Sequence, residues 1–89
     1  MKHLSIIVRG KVQGVFFRAS TKEQADNLGL SGLVRNLPDG NVQIEVEGSD
    51  EALQEFVTWC YTGPRHARVD AVDVRDGELG NFTSFQIAR

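Results

Sequence analysis

Cysteine occurs once in this 89-residue chain, at Cys60. A lone cysteine excludes an internal disulfide framework and any metal site built from several thiolates. No stretch approaches the roughly 20 consecutive apolar residues of a membrane span. Met1-Lys2-His3-Leu4 leads straight into an alternating pattern, without the apolar core or cleavage site of a signal peptide. Cytoplasmic residence is therefore the expectation. His3 and His66 stand apart without metal-ligand spacing, which points to surface or packing roles. The acidic residues Glu45, Glu47, Asp70, Asp73 and Asp76 lack the clustering of a calcium or magnesium loop. Repeats, linkers and low-complexity tracts are missing too, so residues 1–89 are expected to form one domain. That length lies above the size at which disulfides or metals are usually required for stability.

What charge there is, is unevenly placed. Residues 1–36 carry six basic side chains (Lys2, Arg9, Lys11, Arg18, Lys22, Arg35) against Glu23 and Asp26. The remainder carries four basic against ten acidic, for a net charge of −2 overall. A positive region inside a mildly acidic protein suits a small anion better than a polyanion. Solvated faces account for most of these charges.

Hydrophobic periodicity lays out the elements. Leu4, Ile6 and Val8 alternate with Ser5, Ile7 and Arg9, as in a strand, and the extra apolar Ile7 points to a central one. Phe17, Thr21, Ala25 and Leu28 recur at helical spacing, with Gly29 and Leu30 fitting a left-handed helix end. Leu33 to Arg35 and Val42 to Glu47 read as a hairpin around the turn chemistry of Leu37-Pro38-Asp39-Gly40-Asn41. A second helix opens at Ser49, buries Leu53, Phe56, Val57 and Cys60, and stops at Gly63-Pro64. On that stripe Cys60 reads as an inert core residue. Val69 and Ala71, then Val72 and Val74, predict a strand with a phase change, as a bulge would produce. Residues 76–81 are a loop, and Phe85 with Ile87 mark a short closing strand. The order β-α-β-β-α-β predicts an α+β, ferredoxin-like split β-α-β fold, an antiparallel sheet with both helices on one face.

The stretch Gly10-Lys11-Val12-Gln13-Gly14-Val15-Phe16-Phe17-Arg18 lies between the first strand and the first helix. A strand, a glycine-bearing loop and a helix start can aim successive backbone N–H groups at one point. Gly10 and Gly14 permit the tight curl, and Arg18 brings a planar fork of donors suited to phosphate oxygens. Ser20 with Glu23 matches a capping box and would begin the helix near Ser20.

This loop, with Leu28-Gly29-Leu30-Ser31-Gly32, Val34-Arg35-Asn36, Asp39-Gly40, Gly63-Pro64, Ala67, Val69 and Phe85-Gln86-Ile87, resembles the acylphosphatase family. The likeness covers nearly the whole chain in family order and spacing. It implies the ferredoxin-like fold, a helix start nearer Phe17, and hydrolysis of acyl phosphates to a carboxylate and phosphate. It further implies that Arg18 and the backbone of Gln13, Gly14, Val15, Phe16 and Phe17 bind the phosphoryl group. Asn36 matches the family asparagine that orients the attacking water. Phe16 occupies a variable slot in that pattern and reads as a wall or core residue. Lys11 and Arg35 are either anion-steering or solvated charges.

The loop contains no Ser, Cys, Asp, Glu or His between Gly10 and Arg18. It therefore offers no obvious nucleophile or general acid. A phosphate ester would need its alkoxide protonated or held by a metal. An acyl phosphate expels a carboxylate whose conjugate acid has a pKa near about 4, so no acid, metal or cofactor is required. The expected partners are a small-molecule acyl phosphate, with phosphate or sulfate as product or mimic. The chain is expected to act as a monomer, with no nucleic acid and no membrane. A non-catalytic domain of the same family, binding small anions or a protein, would share this loop; the chain's ending soon after the last strand favours the free-standing enzyme. An RNA-recognition module has the same element order but needs stacking aromatics on its central strands. Leu4–Val8 and Val42–Glu47 have none, and Glu45 and Glu47 would repel phosphates.

Overall fold

The computed structural model describes residues 1–88. Its elements are β1 (Lys2–Lys11), α1 (Phe17–Asn27), β2 (Ser31–Asn36), β3 (Val42–Gly48), α2 (Asp50–Thr62), β4 (Arg68–Gly77) and β5 (Phe85–Ile87). The sheet order is β4-β1-β3-β2-β5. The four longer strands pair antiparallel, as the hydrophobic pattern predicts, and this is the ferredoxin-like split β-α-β arrangement. Ile6, Val8, Val34, Val42, Ile44 and Val46 are buried in one cluster with Phe17 and Ala25 of α1 and Leu53, Phe56 and Cys60 of α2. The period of two along each strand thus sends one set of side chains under the helices and the other to the opposite face. Trp59 packs its ring 5.6 Å from that of Phe17, joining the two helices. Burial pushes the Cys60 thiol up to about 12, so it stays protonated and inert. No helix is long and apolar enough to cross a membrane among the described residues.

β5 adds a parallel pair to this antiparallel sheet, with Gly32, Leu33 and Val34 opposite Phe85, Gln86 and Ile87. The direction follows from the edges. β4 occupies one edge and the free edge of β2 lies at the other, so residues 78–84 must cross the sheet end. Four strand spacings are about 19 Å, close to the roughly 23 Å that this segment can span when extended. Leaving β4 at the end where β1 and β2 begin, the chain can only enter β5 in the direction of β2.

The crossing is anchored by side chains on the face away from the helices. His3 and Glu47 lie opposite each other on β1 and β3 and are only 6% and 1% exposed. The His3 ring nitrogens lie 2.7 Å from Glu47 Oε2 and 2.7 Å from Glu45 Oε1. A carboxylate at each ring nitrogen favours the doubly protonated, charged form of His3, which can donate to both. The backbone N–H groups of Gly80 and Phe82 donate to Glu47, and the Phe82 ring stacks on His3 at 6.3 Å. His3 is buried as expected of a packing residue, but inside an acidic clamp that its isolation in the chain does not reveal.

This cluster makes stability pH-dependent. Desolvation lowers the His3 pKa, but its bonds to Glu45 and Glu47 outweigh that and raise it above 6.5. Desolvation likewise opposes the Glu45 and Glu47 charges, yet hydrogen bonds from Ser5, Gly80 and His3 hold both carboxyls below 4.5. The raised histidine contributes stability that is complete below pH 6.5 and fades as pH rises through its folded value. The depressed carboxyls contribute stability present above pH 4.5 and lost as pH falls through their folded values. The loss in urea midpoint caused by His3→Gln is therefore expected to be largest between pH 4.5 and 6.5 and to shrink on both sides. A loss that grows from pH 7 to pH 9 would contradict it.

The expected phase change in β4 is a bulge. Arg9 faces Ala71 and Gly10 faces Val69, so Asp70 is the extra residue. At Gly10, φ is +135° and an added Cβ would sit 2.1 Å from the Arg68 carbonyl oxygen. Gly10→Ala is expected to cost at least about 2 kcal/mol through strain and collision. In a domain of this size that lowers Tm by about 10 °C or more, a drop thermal unfolding would register directly.

Candidate active site

The site lies at the end of the sheet opposite the His3 clamp, where β1 and β2 finish. Two left-handed residues, Gly14 at φ 71° and Phe16 at φ 61°, turn the chain back after Val12 is buried in the core. α1 then begins at Phe17, which joins Thr21 and Ala25 on the buried stripe. Ser20 and Glu23 form no capping box. Thr21 instead turns its hydroxyl back to the Phe17 carbonyl at 2.7 Å, and no side chain caps the helix. The Ser20 N–H donates to the Phe16 carbonyl at 3.0 Å. The N–H groups of Phe17, Arg18 and Ala19 precede it and have no partner within the helix. They face outward at the positive end of the helix dipole.

Gln13 links this loop to the β2–β3 hairpin. Its Nε2 donates to the carbonyls of Leu37 and Asn41, each at 2.8 Å. Within the hairpin the Leu37 N–H donates to Asn41 O at 2.8 Å, and the Asn41 N–H donates to Asp39 Oδ1 at 3.0 Å. Asn36 is the last residue of β2, immediately before this turn. The Gln13 side chain therefore ties the loop to the turn that follows Asn36.

Gly14, Arg18 and Asn36 line the polar part of a cleft of about 720 Å³, whose other walls are Val12, Phe16, Phe17, Ala19 and Ile87. Arg18 is half-buried and has no carboxylate partner among the described residues. Asn36 Oδ1 is buried without a hydrogen-bond partner among the described residues. In a folded protein such an orphaned acceptor calls for an explanation, because desolvating it is costly. Among the described residues the lining holds one cation, one carboxamide and backbone amides, and no carboxylate, thiol, hydroxyl or imidazole. No group of three or more His, Cys, Asp or Glu that could hold a metal occurs among the described residues.

A family model described as Acylphosphatase matches residues 4–87. The chain belongs to the acylphosphatase family. It is 47% identical over 90 residues to an acylphosphatase of Methylococcus capsulatus, with 100% of this chain and 98% of that one covered. An acylphosphatase of Rubrobacter xylanophilus is 55% identical over 75 residues, covering 84% of this chain and 68% of the relative. The crystal structure of acylphosphatase from Bacillus subtilis matches with a TM-score of 0.97 at 38% identity, over 100% of both chains.

Within this acylphosphatase fold, the expected site residues Gly14, Phe16, Phe17, Arg18 and Asn36 share one cleft. Gln13 and Val15 lie off its lining, Gln13 turned to the hairpin and Val15 packed against the core. Lys11 is exposed, and Arg35 donates to Gln43 Oε1 at 2.6 Å; neither lines the cleft. The wall residues Val12 and Ile87 carry no chemical signature in the sequence. Ile87 arrives only because β5 runs beside β2.

Proposed function

We propose that this acylphosphatase hydrolyses carboxyl–phosphate anhydrides in the Arg18–Asn36 cleft without a metal. The phosphoryl group sits against the outward N–H groups at the loop and the start of α1, and Arg18 pairs two of its oxygens. Asn36 Oδ1 accepts a hydrogen bond from the attacking water and aims its lone pair at phosphorus, in line with the departing carboxylate. As the new P–O bond forms and the bond to the acyl oxygen breaks, the protons of the water remain on the phosphate product. The observation that carries this reading is that, among the described residues, Asn36 Oδ1 is buried without a partner in the same cleft as a guanidinium without a carboxylate and an uncapped helix.

The chemistry of the donor set supports the substrate class. Phosphoryl transfer can proceed on positioning and charge stabilisation alone when the leaving group is good. A carboxylate leaves unprotonated near neutral pH. An alkoxide would need an acid that this lining does not supply. Action as a monomer, with inorganic phosphate as product and competitor, belongs to the same proposal. Turnover of benzoyl phosphate is expected to be the same with and without chelator, and a phosphate monoester is expected to be inert. Activity that disappears with chelator, or comparable rates on the monoester, would reject the mechanism.

A further inference from the structure

We propose that Phe16 and Ile87 form an acyl subsite, selecting aromatic or bulky apolar acyl phosphates over acetyl phosphate; this rests on the hydrolytic reading above. Phe16 is 81% exposed although its backbone is left-handed, at φ 61° and ψ 23°. A bulky residue adopts that conformation at a cost, where glycine would adopt it freely. An almost fully exposed ring recovers little of that cost through burial in the folded chain. The ring belongs to the cleft, so a bound molecule is what it can contact.

Ile87 shows the same pattern, 41% exposed at the cleft. It faces Val34 in the parallel pair, and the following Ala88 N–H donates to Val34 O at 2.8 Å. Asn36 lies two residues beyond Val34 on the same side of β2. β5 thus carries an apolar side chain to the row that presents the carboxamide.

The polar donors of the cleft account for the phosphoryl group and the water. The acyl group hangs from the bridging oxygen, opposite the water in an in-line displacement, and must occupy the remaining space. A cleft of about 720 Å³ exceeds what a phosphoryl group fills, and Val12, Phe16, Phe17 and Ile87 supply its apolar surface. Among the described residues Arg18 is the only cation in the lining, so these residues offer an acyl chain's own carboxylate no second partner. Apolar acyl groups are therefore favoured, and an aromatic one can also stack on Phe16.

The test compares kcat/KM for benzoyl and acetyl phosphate in the wild type, Phe16→Ala, Phe16→Gly and Ile87→Ala. The wild type is expected to favour benzoyl phosphate. In each variant the benzoyl-to-acetyl ratio should fall, by about tenfold for Phe16, mainly through KM for benzoyl phosphate. Phe16→Gly removes the ring and relieves the backbone, so a lower ratio with an equal or higher Tm separates selectivity from folding. An unchanged ratio, or equal losses on both substrates, overturns the subsite while leaving the hydrolytic reading intact. A wild type that hydrolyses neither substrate overturns both.

Discussion

Arg18→Ala is expected to lower kcat/KM for benzoyl phosphate by about 10²–10⁴-fold and to weaken inhibition by inorganic phosphate together with it. The estimate follows from the two charge-assisted hydrogen bonds that a guanidinium fork makes to a phosphoryl group. Each is worth about 1.5–3 kcal/mol, and each decade of rate about 1.4 kcal/mol. Lysine keeps the charge but not the fork, so Arg18→Lys should recover only part of the loss. Arg18 has no carboxylate partner among the described residues, so neither change should alter stability by more than about 0.5 kcal/mol. Activity lost with an unchanged Tm would place the defect in the site. Activity retained in Arg18→Ala would remove the guanidinium from the mechanism.

The framework was legible because local signals and burial agree. Val42, Ile44 and Val46 alternate and are fully buried. Ser49 caps α2 by accepting the Ala52 N–H, and Gly63 ends it. At α1 the local signal misleads: Ser20 and Glu23 look like a cap, but burying Phe17 against Trp59 starts the helix earlier. That earlier start leaves the first-turn amides free for an anion, so packing takes precedence over local capping where the chemistry needs it. Arg18 could be named from its place after a glycine-bearing loop and from the family resemblance, Asn36 from the resemblance alone. Their meeting in one cleft could not, since it depends on where β2 ends beside the start of α1 in the folded sheet. The parallel placement of β5 was also hidden. The crossing that leads to it is held by Glu47, which looks like one more solvent-facing acid on a strand but accepts from the N–H groups of Gly80 and Phe82. A contact between residues more than thirty positions apart leaves no periodic trace.

Asn36→Ala is expected to separate catalysis from binding. An oxygen that only orients water is felt in the transition state and hardly at all in the phosphate complex. Removing one aimed group of this kind usually costs about 10²–10³ in rate, whereas inhibition by inorganic phosphate should weaken by less than about tenfold. Stability should move the other way. Asn36 Oδ1 is buried without a partner among the described residues, and a buried acceptor left without one costs the folded state about 1–3 kcal/mol. Deleting it leaves a small gap but removes an unsolvated acceptor, so Tm should hold or rise while turnover collapses, as at sites that trade stability for activity. Asn36→Asp offers a sharper contrast. The carboxylate preserves shape and could still accept from water, but its charge faces the phosphoryl group, so both turnover and phosphate inhibition should fall. Equal losses of turnover and phosphate inhibition in Asn36→Ala would make Asn36 a phosphate ligand. A drop in Tm would mean that Oδ1 has a structural partner, and the buried acceptor would then no longer mark the position of the water.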